Sequence, residues 1–213
     1  MFFDLDDTLY PSTTGIWNAI GDRMDHYITD SLGFAPVDVK KMRNELFYEY
    51  GTTLRGLKTL YDIDERAFLD FVHDVPLDRF LQKDVVLVDT LSLFPNRKII
   101  FTNASQDHAE RVIEILGIDE FFSEIIDILQ ISPYCKPMPE AYHKALEISG
   151  LSNPADCVVI DDSPRNLKTA SEMGFFTIQV GSDTRCPYAD AAILTIADLP
   201  DVIPAGMEPQ REK

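Results

Sequence analysis

The residues best suited to chemistry stand almost at the start of the chain. Residues 2–8 read FFDLDDT, in which two phenylalanines lead into a loop that carries Asp4, Asp6 and Asp7. Side chains two positions apart on a strand lie on the same side, so Asp4 and Asp6 can converge on one point. Carboxylates that close repel each other, and a metal ion or a shared proton relieves the repulsion. The alternative is an ordinary aspartate-rich turn.

The composition describes a globular and strongly acidic chain. A length of 213 residues with 45% hydrophobic content allows one large domain, or a domain with a smaller insert. The formal net charge of -17 argues against binding a nucleic-acid backbone, which requires clustered lysine and arginine. The same charge repels anions at long range, so a phosphate site would need local cations.

Sequence features also bear on location and partners. No apolar run approaches the roughly 20 residues that span a bilayer, and the N-terminus lacks the pattern of a signal peptide. The three cysteines are widely spaced without a CxxC motif, which favours neither a disulfide framework nor a zinc site. We expect a cytoplasmic monomer or homodimer that acts on a small molecule and contacts neither nucleic acid nor membrane.

Two stretches of the chain differ in periodicity. From about residue 14 to residue 93 the apolar residues recur at helical spacing, with one helix ending at Gly33, a second before Gly51 and a third around Phe68. From residue 97 onward, short apolar runs alternate with helices; the predicted strands lie in KIIFTNAS (98–105) and CVVIDDSPRN (157–166), which end in polar and acidic residues, and in IIDILQIS (125–132) and FFTIQV (175–180). This alternation predicts a parallel sheet with helices on both faces.

Polar residues follow several of these strands. Ligands of parallel sheets bind at the carboxyl ends of the strands, so we expect the polar residues to meet there. They are Asp4, Asp6, Thr102, Asn103, Asp161 and Asp162, with Lys136 in a loop at the same edge. Mg²⁺ prefers oxygen ligands and usually takes one or two carboxylates plus phosphate and water. Alone, each residue is an ordinary turn or surface residue; together they predict a magnesium-dependent phosphate site, with Lys136 and Thr102 holding phosphoryl oxygens.

Four motifs in order resemble the haloacid dehalogenase superfamily of phosphotransferases. They are DLDDT (Asp4, Asp6, Thr8), IFTNAS (Thr102), CKP (Lys136) and VIDDSP (Asp161, Asp162). The resemblance covers essentially the whole chain and implies an α/β fold: a Rossmann-like parallel sheet flanked by helices, formed by residues 1–13 and 86–213. Residues 14–85, called the cap segment below, would form an inserted all-helical cap domain. More narrowly, FDLDDTLYP, YGTTLRGL and VIDDSPRN resemble the pyrimidine 5'-nucleotidases.

The resemblance also implies roles for the motif residues. Asp4 would be the nucleophile, and Asp6 the general acid/base whose backbone carbonyl also binds metal. Asp162 would bind the metal directly, with Asp161 acting through water or as a second ligand. The expected activity is Mg²⁺-dependent hydrolysis of a nucleoside monophosphate through an aspartyl phosphate. Two alternatives stay open: a sugar-phosphate mutase similar to β-phosphoglucomutase, and an inactive phosphate-binding module. A dehalogenase is disfavoured, because that chemistry has no use for an acid at position 6.

Residues of the cap segment are expected to contact the substrate beyond its phosphate. The candidates are Tyr48, Tyr50, Thr52, Thr53 and Arg55, which cluster near a predicted helix end; the alternative for each is packing or surface. The four histidines show no ligand spacing and receive no role, and Tyr10 is assigned to a hinge. Only three residues precede Asp4, so we expect a very short first strand with the terminal ammonium within reach of the site, because either the start is truncated or the strand is frayed. A disordered tail is expected after about Pro204.

Overall fold

A six-stranded parallel sheet forms the centre of the molecule. The computed structural model describes residues 1–204. The strands are β1 (Phe2–Phe3), β2 (Lys98–Phe101), β3 (Phe122–Ile126), β4 (Val158–Asp161), β5 (Phe176–Val180) and β6 (Ala191–Ile193). Their order across the sheet is β3-β2-β1-β4-β5-β6, and every neighbouring pair is parallel. The predicted α/β class is confirmed.

Eight α-helices accompany the sheet in the described part of the chain. They are α1 (Ile16–Leu32), α2 (Pro36–Tyr50), α3 (Thr53–Tyr61), α4 (Glu65–His73), α5 (Val85–Ser92), α6 (Gln106–Leu116), α7 (Pro139–Ser149) and α8 (Pro164–Glu172). Within the described residues, no strand lies between β1 and β2, as the helical periodicity predicts. The division into core and cap domains stays a prediction. None of the described helices has the length and apolar character needed to cross a membrane.

Apolar side chains pack against both faces of the sheet, and the central strands are therefore buried along their whole length. Phe3 contributes to a cluster that includes residues of α5 and α6, whereas Phe2 contributes to a cluster with residues of α7 and α8. Successive strand residues point to opposite faces, so even the two residues of β1 serve both layers. A strand that is buried on both faces requires a continuous apolar run. The strands β1, β2 and β4 have such runs, which contain the buried residues Phe2, Ile99 and Val159 respectively.

The elements differ from the expectation in three places. The strand predicted at 125–132 lies earlier, since it ends at Ile126 and Asp127 then accepts hydrogen bonds from the backbone of Gln130 and Gln106, both at 2.9 Å. The strand β6 and the helix α3 were not predicted. The predicted disordered tail falls almost wholly outside the described residues.

The chain start also differs from the expectation. The strand β1 is not frayed, because it pairs with β2 on one side and β4 on the other. The Met1 ammonium donates to the carbonyl of Arg97 at 2.8 Å. Arg97 immediately precedes β2, so the ammonium lies at the amino edge of the sheet, opposite the edge where the motif residues meet.

Candidate active site

The predicted polar residues meet at the carboxyl edge of the sheet. The three central strands, β1, β2 and β4, are followed by Asp4, Thr102 and Asp162, and the loop between β3 and α7 brings in Lys136. Residues of α1, α2 and α4 face them across a cleft of about 380 Å³. The spatial convergence expected from parallel-sheet topology is therefore present.

Lys136 links two carboxylates at the base of the cleft. Its side chain is 1% exposed, and its Nζ lies 2.9 Å from Asp4 Oδ1 and 2.8 Å from Asp161 Oδ2. Burial lowers the pKa of Lys136, but Asp161 and Asp4 raise it more, so its net pKa lies above the usual value. Burial raises the pKa of Asp4, opposed by Lys136 and reinforced by Asp161 and Asp162. Lys136 therefore stays protonated, and its charge stabilises the ionised form of Asp4, which burial disfavours.

The neighbours Asp161 and Asp162 have different surroundings. Asp161 is fully buried, and its oxygens accept hydrogen bonds from Lys136, the Asn166 amide and the Ser163 backbone at 2.8–3.0 Å. Asp162 lines the cleft and accepts one hydrogen bond from the Thr8 hydroxyl at 3.1 Å. Burial and the charge of Asp161 raise the pKa of Asp162 to about 7. Asp162 is thus the one of the two with capacity for a further ligand.

The donor set fits a hard divalent cation. One oxygen each from Asp4, Asp161 and Asp162 lie within 4.8 Å of one another. Burial and mutual repulsion raise the pKa values of Asp4 and Asp162, and a cation would relieve the repulsion. Carboxylate oxygens are the ligands that Mg²⁺ prefers.

Asp6 lines the same cleft but lies outside the three-carboxylate cluster. Its Oδ1 accepts hydrogen bonds from the Tyr10 hydroxyl and from His108 Nε2, the latter at 2.9 Å. Burial raises the pKa of Asp6, but His108 and Tyr10 lower it more, so the net shift is downward. Asp4 and Asp6 line the same cleft, and the strand that precedes them ends at Phe3 before the backbone turns at Leu5; their convergence on one point stays a prediction.

Thr102 and Asn103 are held by the backbone around them. Thr102 is buried, and its hydroxyl accepts a hydrogen bond from the Ala104 backbone at 3.0 Å. The side-chain amide of Asn103 donates to the carbonyl of Lys136 and accepts from its N–H, both at 2.9 Å. Both residues line the cleft. The predicted substrate ligand Asn103 therefore also fixes the loop that carries Lys136.

The predicted substrate ligands of the cap segment separate into two groups. Tyr48, Thr52 and Thr53 line the cleft, whereas Tyr50 and Arg55 do not. Arg55 is buried, forms an ion pair with Glu65, and donates to the carbonyls of Ile128 and Tyr134. Its guanidinium is saturated by protein partners, so the assignment of Arg55 to the substrate is not supported by its position.

Sequence reasoning missed several residues of the site. Tyr10 was assigned to a hinge and His108 received no role, yet both contact Asp6. Asn166 and Arg165 follow the acidic motif directly, in SPRN, and both line the cleft. That local signal could have identified them. No local pattern links His108 to Asp6, because 102 positions separate them in the chain.

An apolar wall faces the carboxylates across the cleft. Its large side chains are Trp17, Met24, Phe47, Tyr48, Phe68 and Leu69, with Arg43, Asn44 and Arg165 as polar additions. The guanidinium of Arg165 lies 4.7 Å from the Phe47 ring centroid and 5.5 Å from that of Tyr48. Because Arg165 belongs to α8 and both rings to α2, these contacts join the two sides of the cleft.

A Rossmann-like parallel sheet with a carboxylate cluster and a buried lysine at its carboxyl edge defines a class of hydrolytic enzymes. The chain belongs to the haloacid dehalogenase-like hydrolase family, whose model matches residues 1–174.

Known proteins similar to this chain agree with the assignment. Phosphate metabolism protein 8 of Saccharomyces cerevisiae is 30% identical over an alignment that covers 81% of this chain and 58% of that protein. The chain thus spans little more than half the length of this relative.

Solved structures share the fold at lower identity. The 2-haloacid dehalogenase from Pseudomonas syringae pv. Tomato DC3000 superimposes with a TM-score of 0.60 at 20% identity, covering 94% of this chain and 96% of that chain. The HAD-hydrolase YfnB from Bacillus subtilis, bound to magnesium, gives 0.58 at 17% identity with the same coverage. At such identities these structures establish the common fold alone.

Proposed function

We propose that this chain is a Mg²⁺-dependent phosphomonoester hydrolase that acts through an aspartyl phosphate. The observation that carries the proposal is the position of Asp4, whose Oδ1 lies 2.9 Å from the buried Lys136 ammonium beside Asp161 and Asp162. Transfer of a phosphoryl group to a carboxylate requires a positioned nucleophile, a fixed cation and hard oxygen ligands for a metal.

Asp4 and Asp162 would hold the metal, with the Asp6 carbonyl as the ligand implied by family resemblance. When bound, Mg²⁺ neutralises charge on the phosphate and orients the phosphorus for in-line attack. Asp161 is less suited to direct binding, because Lys136, Asn166 and Ser163 already occupy its oxygens.

The protein groups can then divide the reaction into two displacements. An Asp4 oxygen attacks phosphorus and the bond to the ester oxygen breaks; Asp6, which its lowered pKa leaves ionised, first takes up a proton from solvent and gives it to the departing alcohol. Water then attacks the phosphorus of the aspartyl phosphate while Asp6 takes a proton from it, which releases inorganic phosphate and restores Asp4. Lys136 and Thr102 hold the phosphoryl oxygens during both steps.

We propose a nucleoside monophosphate, and a pyrimidine nucleotide in particular, as the substrate. The cleft volume of about 380 Å³ suits a small molecule. The flat rings of Trp17, Phe47 and Tyr48 line it and offer stacking surfaces, while Asn44 offers an amide to a base or sugar. The name of the yeast relative refers to phosphate metabolism, which agrees with a phosphate ester.

A phosphate-release assay over nucleotides, sugar phosphates and small phosphoesters tests the substrate. We expect pyrimidine monophosphates to be hydrolysed faster than purine monophosphates and phosphosugars. A flat profile would remove the nucleotide assignment and keep the hydrolase. Isomerisation of hexose phosphates without stoichiometric phosphate release would identify a mutase, and no turnover of any ester with Mg²⁺ would identify a binding module.

Substitutions of the two aspartates test the mechanism. In Asp4→Asn, the amide cannot form the acyl phosphate, so turnover should vanish. In Asp6→Asn, an activated ester should still phosphorylate Asp4, but hydrolysis of the intermediate should slow by about 10² to 10⁴ because the base is lost. Mass spectrometry after a quench should find phosphate on the peptide with Asp4 in Asp6→Asn protein only. Phosphate on another residue, or full activity of Asp4→Asn, would contradict the mechanism.

A further inference from the structure

Two donors hold Asp6, and both reach the same oxygen. The Tyr10 hydroxyl and His108 Nε2 lie within hydrogen-bond distance of Asp6 Oδ1. No side chain or backbone donor among the described residues bonds to Oδ2. The Asp6 side chain lines the cleft and is 15% exposed. The two oxygens of this carboxylate are therefore not equivalent.

The ring of His108 has a fixed orientation. It is fully buried and stacks on His73, with 4.4 Å between ring centroids. Its Nδ1 is buried and has no hydrogen-bond partner in the described part of the chain. A buried acceptor without a partner is tolerated better than a buried N–H without one, so the hydrogen lies on Nε2 and points at Asp6. His108 is a donor to Oδ1.

Separate core elements hold the two donors. Tyr10 lies in the loop after β1, and its ring is buried. His108 lies in the first turn of α6, where the Ser105 hydroxyl accepts a hydrogen bond from its backbone N–H at 3.4 Å. Since both side chains are packed, Asp6 cannot rotate without breaking two buried hydrogen bonds.

We propose that Tyr10 and His108 are positioning residues that direct Asp6 so that Oδ2 alone exchanges the catalytic proton, an inference that rests on the proposed hydrolase function. An oxygen that already accepts two hydrogen bonds is a poor proton carrier. In the first displacement the Oδ2–H bond breaks, its electron pair stays on the carboxylate, and the proton goes to the ester oxygen as the bond to phosphorus breaks. In the second, Oδ2 takes a proton from the attacking water.

The test compares two esters of similar shape that differ in leaving group. Phenyl phosphate releases a more basic phenolate than 4-nitrophenyl phosphate and depends more on protonation by Asp6. We expect Tyr10→Phe and His108→Met to slow single-turnover phenol release from phenyl phosphate about tenfold, a part of the 10² to 10⁴ that acid catalysis supplies. Release from 4-nitrophenyl phosphate should change less than about twofold, and KM should not change.

Conservative variants separate positioning from packing. In His108→Gln the amide N–H can replace Nε2–H, so we expect the wild-type ratio of the two rates to return. Tyr142→Phe is the matched control, because it removes a buried hydroxyl that donates to the Asn166 carbonyl at 2.8 Å and leaves Asp6 untouched; its ratio should equal that of wild type. If His108→Met does not fold, Tyr10→Phe, which keeps the ring, carries the test.

The outcomes distinguish the two proposals. Equal losses on both esters, or no recovery in folded His108→Gln protein, would overturn the positioning role and leave the hydrolase intact. Wild-type protein that hydrolyses neither these two esters nor any ester of the phosphate-release assay with Mg²⁺ would overturn the hydrolase proposal and the positioning role with it.

Discussion

At the scale of single residues, the buried histidine His73 carries a pH dependence of stability. It is 7% exposed, and its Nδ1 lies 2.8 Å from the Ser105 hydroxyl. Burial above all, together with the nearby His108 and Arg111 and against the opposing effect of Asp6, lowers its pKa to about 3. The residue is therefore folded into the protein in its neutral form, whereas in the unfolded chain it titrates near its ordinary pKa of about 6.5.

The direction of the effect follows from proton linkage. The unfolded chain binds a proton that the folded protein does not, so the stabilisation by neutral His73 is complete above pH about 6.5 and is lost as the pH falls towards 3. In His73→Asn this site cannot titrate. The difference in unfolding free energy between wild type and His73→Asn should shrink by up to about 1.4 kcal/mol per pH unit below pH 6.5. Urea titrations from pH 7.5 to 5 measure it; a constant difference would contradict the assignment.

The residues of the site differ in how far the sequence could predict them. Asp4, Thr102 and Lys136 were predictable because strand ends in a parallel sheet meet at one edge. The partners that hold them were not, because a buried contact such as His108 to Asp6 depends on how a helix packs on the sheet. Arg55 is an error of the opposite kind. Its chemistry suits a substrate ligand and it was predicted as one, but in the structure its guanidinium donates to backbone carbonyls of the protein.

At the scale of elements, the end of α2 approaches the Lys136 loop so closely that only glycine fits. Gly51 has φ 89°, and a Cβ there would lie 2.8 Å from Cys135 Sγ and 3.4 Å from the Lys136 carbonyl. Gly51→Ala must therefore displace the buried Cys135 side chain, the loop that carries it or α2. Since a misplacement of about 1 Å can cost about 10² in rate, we expect a fall of that order in kcat.

A second glycine provides the control. Gly33 ends α1 with φ 75°, and no atom lies within 4 Å of a Cβ built there. Gly33→Ala should cost about 1–2 kcal/mol of stability from the left-handed backbone alone and leave kcat unchanged. Stability and steady-state rates of both variants would be measured together. Equal rates for Gly51→Ala and Gly33→Ala would show that the close approach has no role in the site.

Arg55 joins α3 to the loop that follows β3. The side chains of Arg55 and Glu65 are 5% and 17% exposed, so each would be left without its partner if the other were removed. We expect Arg55→Met to lower the unfolding free energy by about 3–5 kcal/mol. The exposed pair of Lys58 and Asp62 is the control, and Lys58→Met should cost about 0.5 kcal/mol or less.

Denaturant titrations would measure the unfolding free energy of wild type, Arg55→Met, Lys58→Met and the double variant Arg55→Met/Glu65→Gln. The double variant should recover part of the loss, because it no longer buries an unpaired carboxylate. A stable Arg55→Met protein with a raised KM would instead return Arg55 to the substrate.

Element boundaries were less predictable than element order. The strand β3 and the turn after it share the apolar run from Ile125 to Ile131, and only Asp127, which bonds to two backbone N–H groups, marks where pairing stops. The strand β6 has three residues, too few for a periodic pattern. By contrast, the glycines at positions 33 and 51 ended helices as predicted, because their positive φ is a local requirement.

At the scale of the whole molecule, the charge of -17 opposes the arrival of an anionic substrate. Salt screens that repulsion, with a Debye length that falls from about 30 Å at 0.01 M to about 10 Å at 0.1 M ionic strength. At constant Mg²⁺, kcat/KM for a phosphate monoester should therefore rise about threefold or more over this range, while kcat stays constant. A fall in kcat/KM would show that Lys136, Arg43 and Arg165 dominate the field at the cleft.

The central position of β1 has a consequence for local unfolding. The strands β1, β2 and β4 are each paired on both sides, so their amides are exposed to exchange only when the sheet itself opens. The helices α1 to α4 lie between β1 and β2 without a strand among them, and we expect their amides to exchange at lower free energy than those of the three central strands. Substitutions in the apolar wall of the cleft should then speed amide exchange in these helices and leave exchange unchanged in the strands that precede Asp4, Thr102 and Asp162.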